Sequence, residues 1–264
     1  NSAQLSTLDH LDVALSPTPW QKKAFPDAYQ HKIGVCHDGI DIHRCRPNPQ
    51  ATLKMPDGRV LRAGDPVVTY VARDLEPYRG FPTFMRSAAK LAARNPDAVF
   101  VVAGGDGVSY GTPRTDGRKW RDVMMEETGL DPSRIYFLGQ ISHEHLIRLF
   151  QISAAHIYLT YPFVLSWSVL EAMACGVAVI ASDTGPCHDV IKDRYNGLLT
   201  DFWDADTLAD KMSLENPARL IPLRQEARRI ITQHFALQKC LEKQTSLIER
   251  LAAGEIERVV GRRG

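Results

Sequence analysis

The sequence predicts an α/β fold, a doubly wound parallel sheet of Rossmann type, on three observations. Six short runs rich in β-branched and aromatic residues are apolar on both faces, helical stretches with one apolar face separate them, and the connections between them are short. Strands buried on both faces belong in a parallel sheet, and helical crossovers between parallel strands are right-handed. The alternation therefore gives an open, doubly wound sheet whose ligand crevice lies at the C-terminal ends of the strands.

In chain order, residues 1–66 stand apart. Pro17, Pro19, Pro26, Pro47, Pro49, Pro56 and Pro66 punctuate them, and residues 52–63 (TLKMPDGRVLRA) carry the Pro-Asp-Gly signal of a tight hairpin turn. This part reads as the remnant of another domain, a linker and a hairpin. Residues 67–235 hold the sheet, with strands expected at 67–72, 98–104, 134–139, 156–160, 177–182 and 196–200. Phe84, Ala88, Leu91 and Ala92 mark one helical face; Leu146, Leu149, Phe150 and Ser153 mark another, opened by Ser142 as N-cap. Long helices follow Asn216-Pro217, and residues 236–264 read as a C-terminal helix, apolar at Leu237, Leu241, Leu247, Ile248 and Leu251, with a frayed tail.

The 264 residues are 44% hydrophobic and 24% charged, which fits the globular average and excludes disordered, collagen-like and coiled-coil classes. A formal net charge of +1 argues against a dedicated nucleic-acid binder. No apolar run approaches the roughly 18 residues of a membrane span, and the N-terminus lacks signal-peptide features. Five cysteines at irregular spacing fit reduced thiols and a cytoplasmic location. Cys36, His37, His43 and Cys45 could be read as a zinc cluster, though not at a standard spacing. Asp204-Ala205-Asp206 matches a metal-binding D-x-D pattern but stands where an Asp normally caps a helix. The missing initiator Met points to a processed chain or a fragment.

Residues 158–185 are the most informative. A strand runs into a loop, the loop into a short helix expected to open near Ser168 and to carry Glu171, and the helix ends at Gly176 before a second strand. The free N–H groups at such a helix start make an anion site suited to phosphate, and Glu171 is placed to bond ribose hydroxyls. The same residues also fit a purely structural part, with Ser168 as a cap and Glu171 as an acid favouring the helix dipole.

Leu170-Glu171-Ala172-Met173-Ala174-Cys175-Gly176 with the Ala181 to Gly185 turn resembles the C-terminal, nucleotide-sugar-binding half of the retaining GT-B glycosyltransferases of group 1, or family 4. Val35 to Pro47 resembles that family's linker motif, Arg73 to Gly80 (RDLEPYRG) its G-R-x-x-x-x-K-G motif, and Phe137-Leu138-Gly139 with Ala154-Ala155-His156 its F-x-G to A-D run. The resemblance implies an enzyme that transfers a sugar with retention from a nucleoside-diphosphate donor, such as a UDP-sugar, to an unidentified acceptor in glycan biosynthesis. It implies that Arg73 and Arg79 clamp the diphosphate and that Glu171 holds the ribose. Backbone at Phe137 and Leu138 would meet the base, and Leu165, Ser166, Trp167 and Ser168 would supply donors to the phosphates. No metal cofactor is implied.

Three positions depart from the pattern: Phe163 stands where the family has its sugar-contacting glutamate, Arg79 replaces a lysine, and Leu165-Ser166 replaces Phe-Gly. Phe163 keeps a non-catalytic nucleotide-sugar-binding protein of this fold as the alternative reading, with an epimerase or phosphorylase as a third. The family's N-terminal acceptor domain is expected to be missing, leaving the isolated chain inactive, and peripheral membrane association remains open for a full-length protein.

Overall fold

The computed structural model describes residues 2–213 and 220–255, in two compact units: residues 1–42 with 230–264, and residues 43–229. In the first unit α1 (Ser2–His10), β1 (Ala14–Ser16), α2 (Pro19–Lys23), α3 (Asp27–Gln30) and β2 (Ile33–Val35) follow one another, with β1 and β2 paired in parallel. Ile40 N–H donates to Phe235 O at 2.7 Å and Leu237 N–H to Ile40 O at 2.9 Å. Gly39, at φ 93°, allows this approach, because a Cβ there would lie 2.6 Å from Leu237 Cα.

The second unit begins with a hairpin, β3 (Thr52–Lys54) and β4 (Val60–Arg62). Then come β5 (Val67–Asp74), α4 (Phe81–Arg94), β6 (Val99–Gly105), α5 (Trp120–Thr128), β7 (Ile135–Phe137), α6 (His143–Ile152), β8 (Ala155–Tyr158), α7 (Trp167–Ala174), β9 (Ala178–Ser182), α8 (Gly185–His188), β10 (Leu198–Thr200), α9 (Ala205–Met212) and α10 (Ile221–His234), whose first half belongs here. α11 (Leu237–Ala252) closes the described chain. The sheet is parallel throughout, in the order β10-β9-β8-β5-β6-β7. Counted from its first strand this is 3-2-1-4-5-6, so the order reverses between β5 and β8, where a doubly wound sheet opens a ligand crevice.

Alternation along β5 divides the core. Val68 and Tyr70 face a layer built from Phe81, Phe84, Met85 and Leu91 of α4, Met124 of α5, and Leu208 and Met212 of α9. Val67 faces the opposite layer, with Leu149 and Ile152 of α6 and with Leu53, Met55 and Leu61 of the hairpin. The hairpin expected to travel with the first 66 residues is therefore part of the sheet unit, because its apolar side covers β5 and β6. The boundaries expected near 66 and 235 fall instead at 42/43 and 229/230.

The expected caps were partly met. Ser142 accepts from His145 N–H at 3.3 Å, and Asp204 accepts from Asp206 and Thr207 N–H at 3.0 and 2.9 Å, which is the part of a helix cap. The break at Asn216-Pro217 and the tail beyond 255 lie outside the described residues. In α11, Leu237, Leu241 and Ile248 are exposed, while Leu247 and Leu251 are half-buried. Among the described residues no helix is long and apolar enough to cross a membrane.

Candidate functional site

The reversal between β5 and β8 brings together the turn after β5 and the loop after β8. Residues 77–79 form a single 3₁₀ turn closed by Gly80, whose φ of 68° favours glycine and whose missing side chain leaves room for Leu159, into which a Cβ would collide. That turn aims Arg79 across the crevice, where its guanidinium donates to Thr160 Oγ1 at 2.7 Å. It lies 5.4 Å from the Tyr110 ring centre and 5.9 Å from that of Tyr158. Tyr70 Oη donates to Arg79 O at 2.6 Å and anchors the turn from below. Burial raises the pKa of both the Tyr70 and Tyr158 phenols, with Arg79 opposing it, so both remain protonated at neutral pH. Arg73, the second-to-last residue of β5, is exposed and has no ion-pair partner among the described residues.

Helix α7 starts earlier than the sequence predicts. Its N-cap is Ser166, whose hydroxyl accepts from Ser168 N–H at 3.4 Å and lies 2.9 Å from Ser168 Oγ, so Ser168 stands inside the first turn. Ser166 N–H is itself engaged, donating to Tyr158 Oη at 3.0 Å. Of the expected phosphate donors, the Ser166 and Ser168 amides thus have protein partners; Leu165 is buried and Trp167 is 55% exposed beside them. Tyr158 ties this helix start to Arg79, because its ring faces the guanidinium while its hydroxyl holds the cap.

Glu171 is buried and its Oε1 lies 2.6 Å from His143 Nε2, an ion pair whenever the imidazole is protonated. His143, the first residue of α6, escaped the sequence reading because nothing local links it to a residue 28 positions later. Phe137 ends the edge strand β7, and the Arg121 guanidinium lies 5.5 Å from its ring centre. Leu138 N–H donates to Val102 O at 2.9 Å, so the sheet holds the backbone at the expected base site.

Two acids of the 73–80 motif also went unread. Glu76, fully buried, accepts from Tyr110 N–H at 3.1 Å and Gly111 N–H at 2.9 Å, while Asp74 accepts from Gly107 N–H at 3.1 Å and from Ser109 Oγ. Together they fold the loop after β6 back over the crevice and place Tyr110 against Phe163, with ring centres 4.9 Å apart. The Gly104 to Gly107 turn gives its Gly107 N–H to Asp74. An acid between Leu75 and Pro77, at the end of a buried strand, is the signal that could have marked Glu76.

Cys36 Sγ donates to the carbonyls of His37 at 3.7 Å and Cys240 at 3.8 Å, whereas Cys45 hydrogen bonds with Cys175, whose thiol pKa is raised by that bond and by burial. Cys187, beyond Arg79, is pushed up to about 11 by burial and is a neutral thiol. No group of three or more His, Cys, Asp or Glu among the described residues is arranged to hold a metal.

Comparison with known proteins gives concordant matches. The sequence profile of the glycosyl transferases group 1 matches residues 54–229, and that of the glycosyl transferase family 4 group matches residues 1–45. A D-inositol 3-phosphate glycosyltransferase of Rhodococcus jostii (strain RHA1) is 28% identical over 207 residues, covering 75% of this chain and 43% of that protein. The chain thus spans less than half the length of that curated relative. Among solved structures, sucrose-phosphate synthase of Thermosynechococcus elongatus superposes with a TM-score of 0.77 at 22% identity, over 94% of this chain and 60% of that one. Anabaena HepE in complex with UDP and glucose gives 0.74 at 18% identity, over 90% of this chain and 63% of that one.

Proposed function

Because the chain belongs to the glycosyl transferases group 1, with the fold of the C-terminal half of GT-B enzymes, we propose that it is the donor-binding part of a retaining glycosyl transferase acting on a nucleoside-diphosphate sugar in glycan biosynthesis. The observation that carries this reading is Arg79, aimed by a rigid turn into the switch-point crevice and tied through Tyr158 to the start of α7. A diphosphate gathers negative charge as it leaves the anomeric carbon, and donors fixed beforehand at that place stabilise the departure. Arg79 supplies a guanidinium there, exposed Arg73 a second, and the α7 start its dipole. The chain's own charges serve this part in the proposal, without a metal cofactor.

Glu171 receives the ribose. His143 holds one carboxylate oxygen, orienting the other toward the ribose hydroxyls, and the sheet-held backbone at Phe137 and Leu138 meets the base. The acceptor is unidentified, and its binding is assigned to the part of the relatives' length that this chain does not span. Five free, buried thiols support a reducing, cytoplasmic location. Titration calorimetry with UDP, GDP, ADP and the parent nucleosides tests the donor reading: one diphosphate binds clearly more tightly than its nucleoside. Equal weak binding of all six would refute it.

A further inference from the structure

Four solvent-exposed aromatic side chains stand around Arg79. Tyr78, Tyr110, Tyr161 and Phe163 are 46%, 44%, 55% and 44% exposed. They pack in pairs, Tyr110 with Phe163 at 4.9 Å and Tyr78 with Tyr161 at 5.6 Å between ring centres. With Arg79 and Thr160 these rings line a cavity of about 200 Å³. Pockets for drug-sized ligands run from about 300 Å³ upward, so this one takes a single ring and not a nucleotide. The backbone that carries three of the rings is held in place: Glu76 binds the Tyr110 amide, and Tyr161 N–H donates to Tyr78 O at 2.9 Å. Apolar surface fixed and left open in this way marks a contact face for a ligand.

We infer that this cavity is a sugar subsite that selects by ring stacking, taking a donor hexopyranose of the deoxy or methyl-bearing class, with a C–H face against the rings. The inference rests on the donor reading above. Arg79 forms one wall and is the diphosphate ligand of that reading, and the sugar, attached to the diphosphate through one oxygen, falls in the same cavity. The faces of the rings cannot accept strong hydrogen bonds from sugar hydroxyls, and Phe163, unlike the three tyrosines, carries no polar group at its edge either. A hydroxyl pressed against Phe163 loses its water and gains no partner, whereas a C–H group there gains contact. Thr160 Oγ1 offers little in compensation, since it accepts from Arg79 and donates to Tyr161 O at 2.9 Å.

Calorimetry on the full chain, with UDP, UDP-glucose and UDP-6-deoxyglucose, or the GDP or ADP series where that base binds, tests the inference. The 6-deoxy conjugate binds about tenfold more tightly than the glucose conjugate, the size expected from one unpartnered hydroxyl. Phe163→Ala abolishes the difference and leaves diphosphate affinity within about twofold, and Phe163→Glu reverses the preference toward glucose. Wild-type protein that binds both conjugates no better than the free diphosphate overturns the subsite alone. Variants that weaken the free diphosphate as much as its conjugates also overturn it. If no nucleoside diphosphate binds, the donor reading falls and the subsite with it.

Discussion

Arg79 and Arg73 carry the same charge, yet their surroundings separate them. Arg79 is anchored by Thr160 and two rings, while Arg73 stands in water, where long side chains lose entropy on being fixed and charges are screened. Arg79→Ala is therefore expected to weaken nucleoside diphosphate binding about ten- to a hundredfold, the value of a charge-assisted hydrogen bond, and Arg73→Ala clearly less. Calorimetry checks this: equal losses would contradict the geometry, and an equal fall in nucleoside affinity would contradict the phosphate assignment. Glu171→Gln should weaken the nucleoside as well as the diphosphate, because its proposed bonds are to ribose. His156 gives a different residue-scale outcome. It is fully buried on β8 with its Nε2 unpartnered, and burial lowers its pKa to about 3 from 6.5. Above pH 6.5 the ring is neutral folded and unfolded. As the pH falls from there toward 3, the unfolded chain takes up a proton that the folded one does not, and stability declines by up to about 1.4 kcal/mol per pH unit. Denaturant unfolding of His156→Val between pH 7 and 4.5 should show a shallower decline than wild type.

At the scale of the element, α7 and the loop after β6 are both held by single polar residues. Ser166→Ala removes the cap of an eight-residue helix and is expected to cost about 1 kcal/mol, read from the urea midpoint. Ser168→Ala should cost less, because Ser168 lies inside the helix, and the reverse order would restore the helix start expected from the sequence. Glu76→Gln keeps the shape of the side chain but gives up the charge that receives two amides. Hydrogen exchange at Tyr110 and Gly111 should rise in that variant. Unchanged exchange would show that the loop is held by its own packing. The C-terminal end of α7 is secured by arginines of α10: Arg224 Nε donates to Gly176 O at 2.6 Å, and Arg228 donates to Ala174 O. Cations at the last carbonyls of a helix complement its dipole.

For the molecule as a whole, the sheet order makes binding and stability one equilibrium within the 43–229 unit. The crevice is assembled from the ends of β5, β6, β7 and β8 and from α7, so a ligand there binds only the folded unit. A nucleoside diphosphate at 100 times its dissociation constant should add about 2.7 kcal/mol, several degrees in melting temperature, and Arg79→Ala should remove most of that shift at the same ligand concentration. A shift that survives Arg79→Ala intact would move the site away from the switch point.

By itself the sequence determined the layered α/β class, the six strands and the order of the helices between them, since these follow from local periodicity and from strands apolar on both faces. It located the turn that carries Arg79 and the helix that carries Glu171, because each of them is one contiguous stretch of the chain. The hairpin's allegiance to the sheet, the cap at Ser166, and the partners His143 for Glu171 and Glu76 for Tyr110 were decided only by tertiary structure. The two long-range partners depend on which strand ends the 3-2-1-4-5-6 order brings side by side, and no periodicity within one element records a neighbour 28 or 34 residues away. The aromatic surroundings of Phe163 belong with these. The sequence shows a phenylalanine in place of a carboxylate, while the rings that give it a chemical role arrive from the turn after β5 and from the loop after β6.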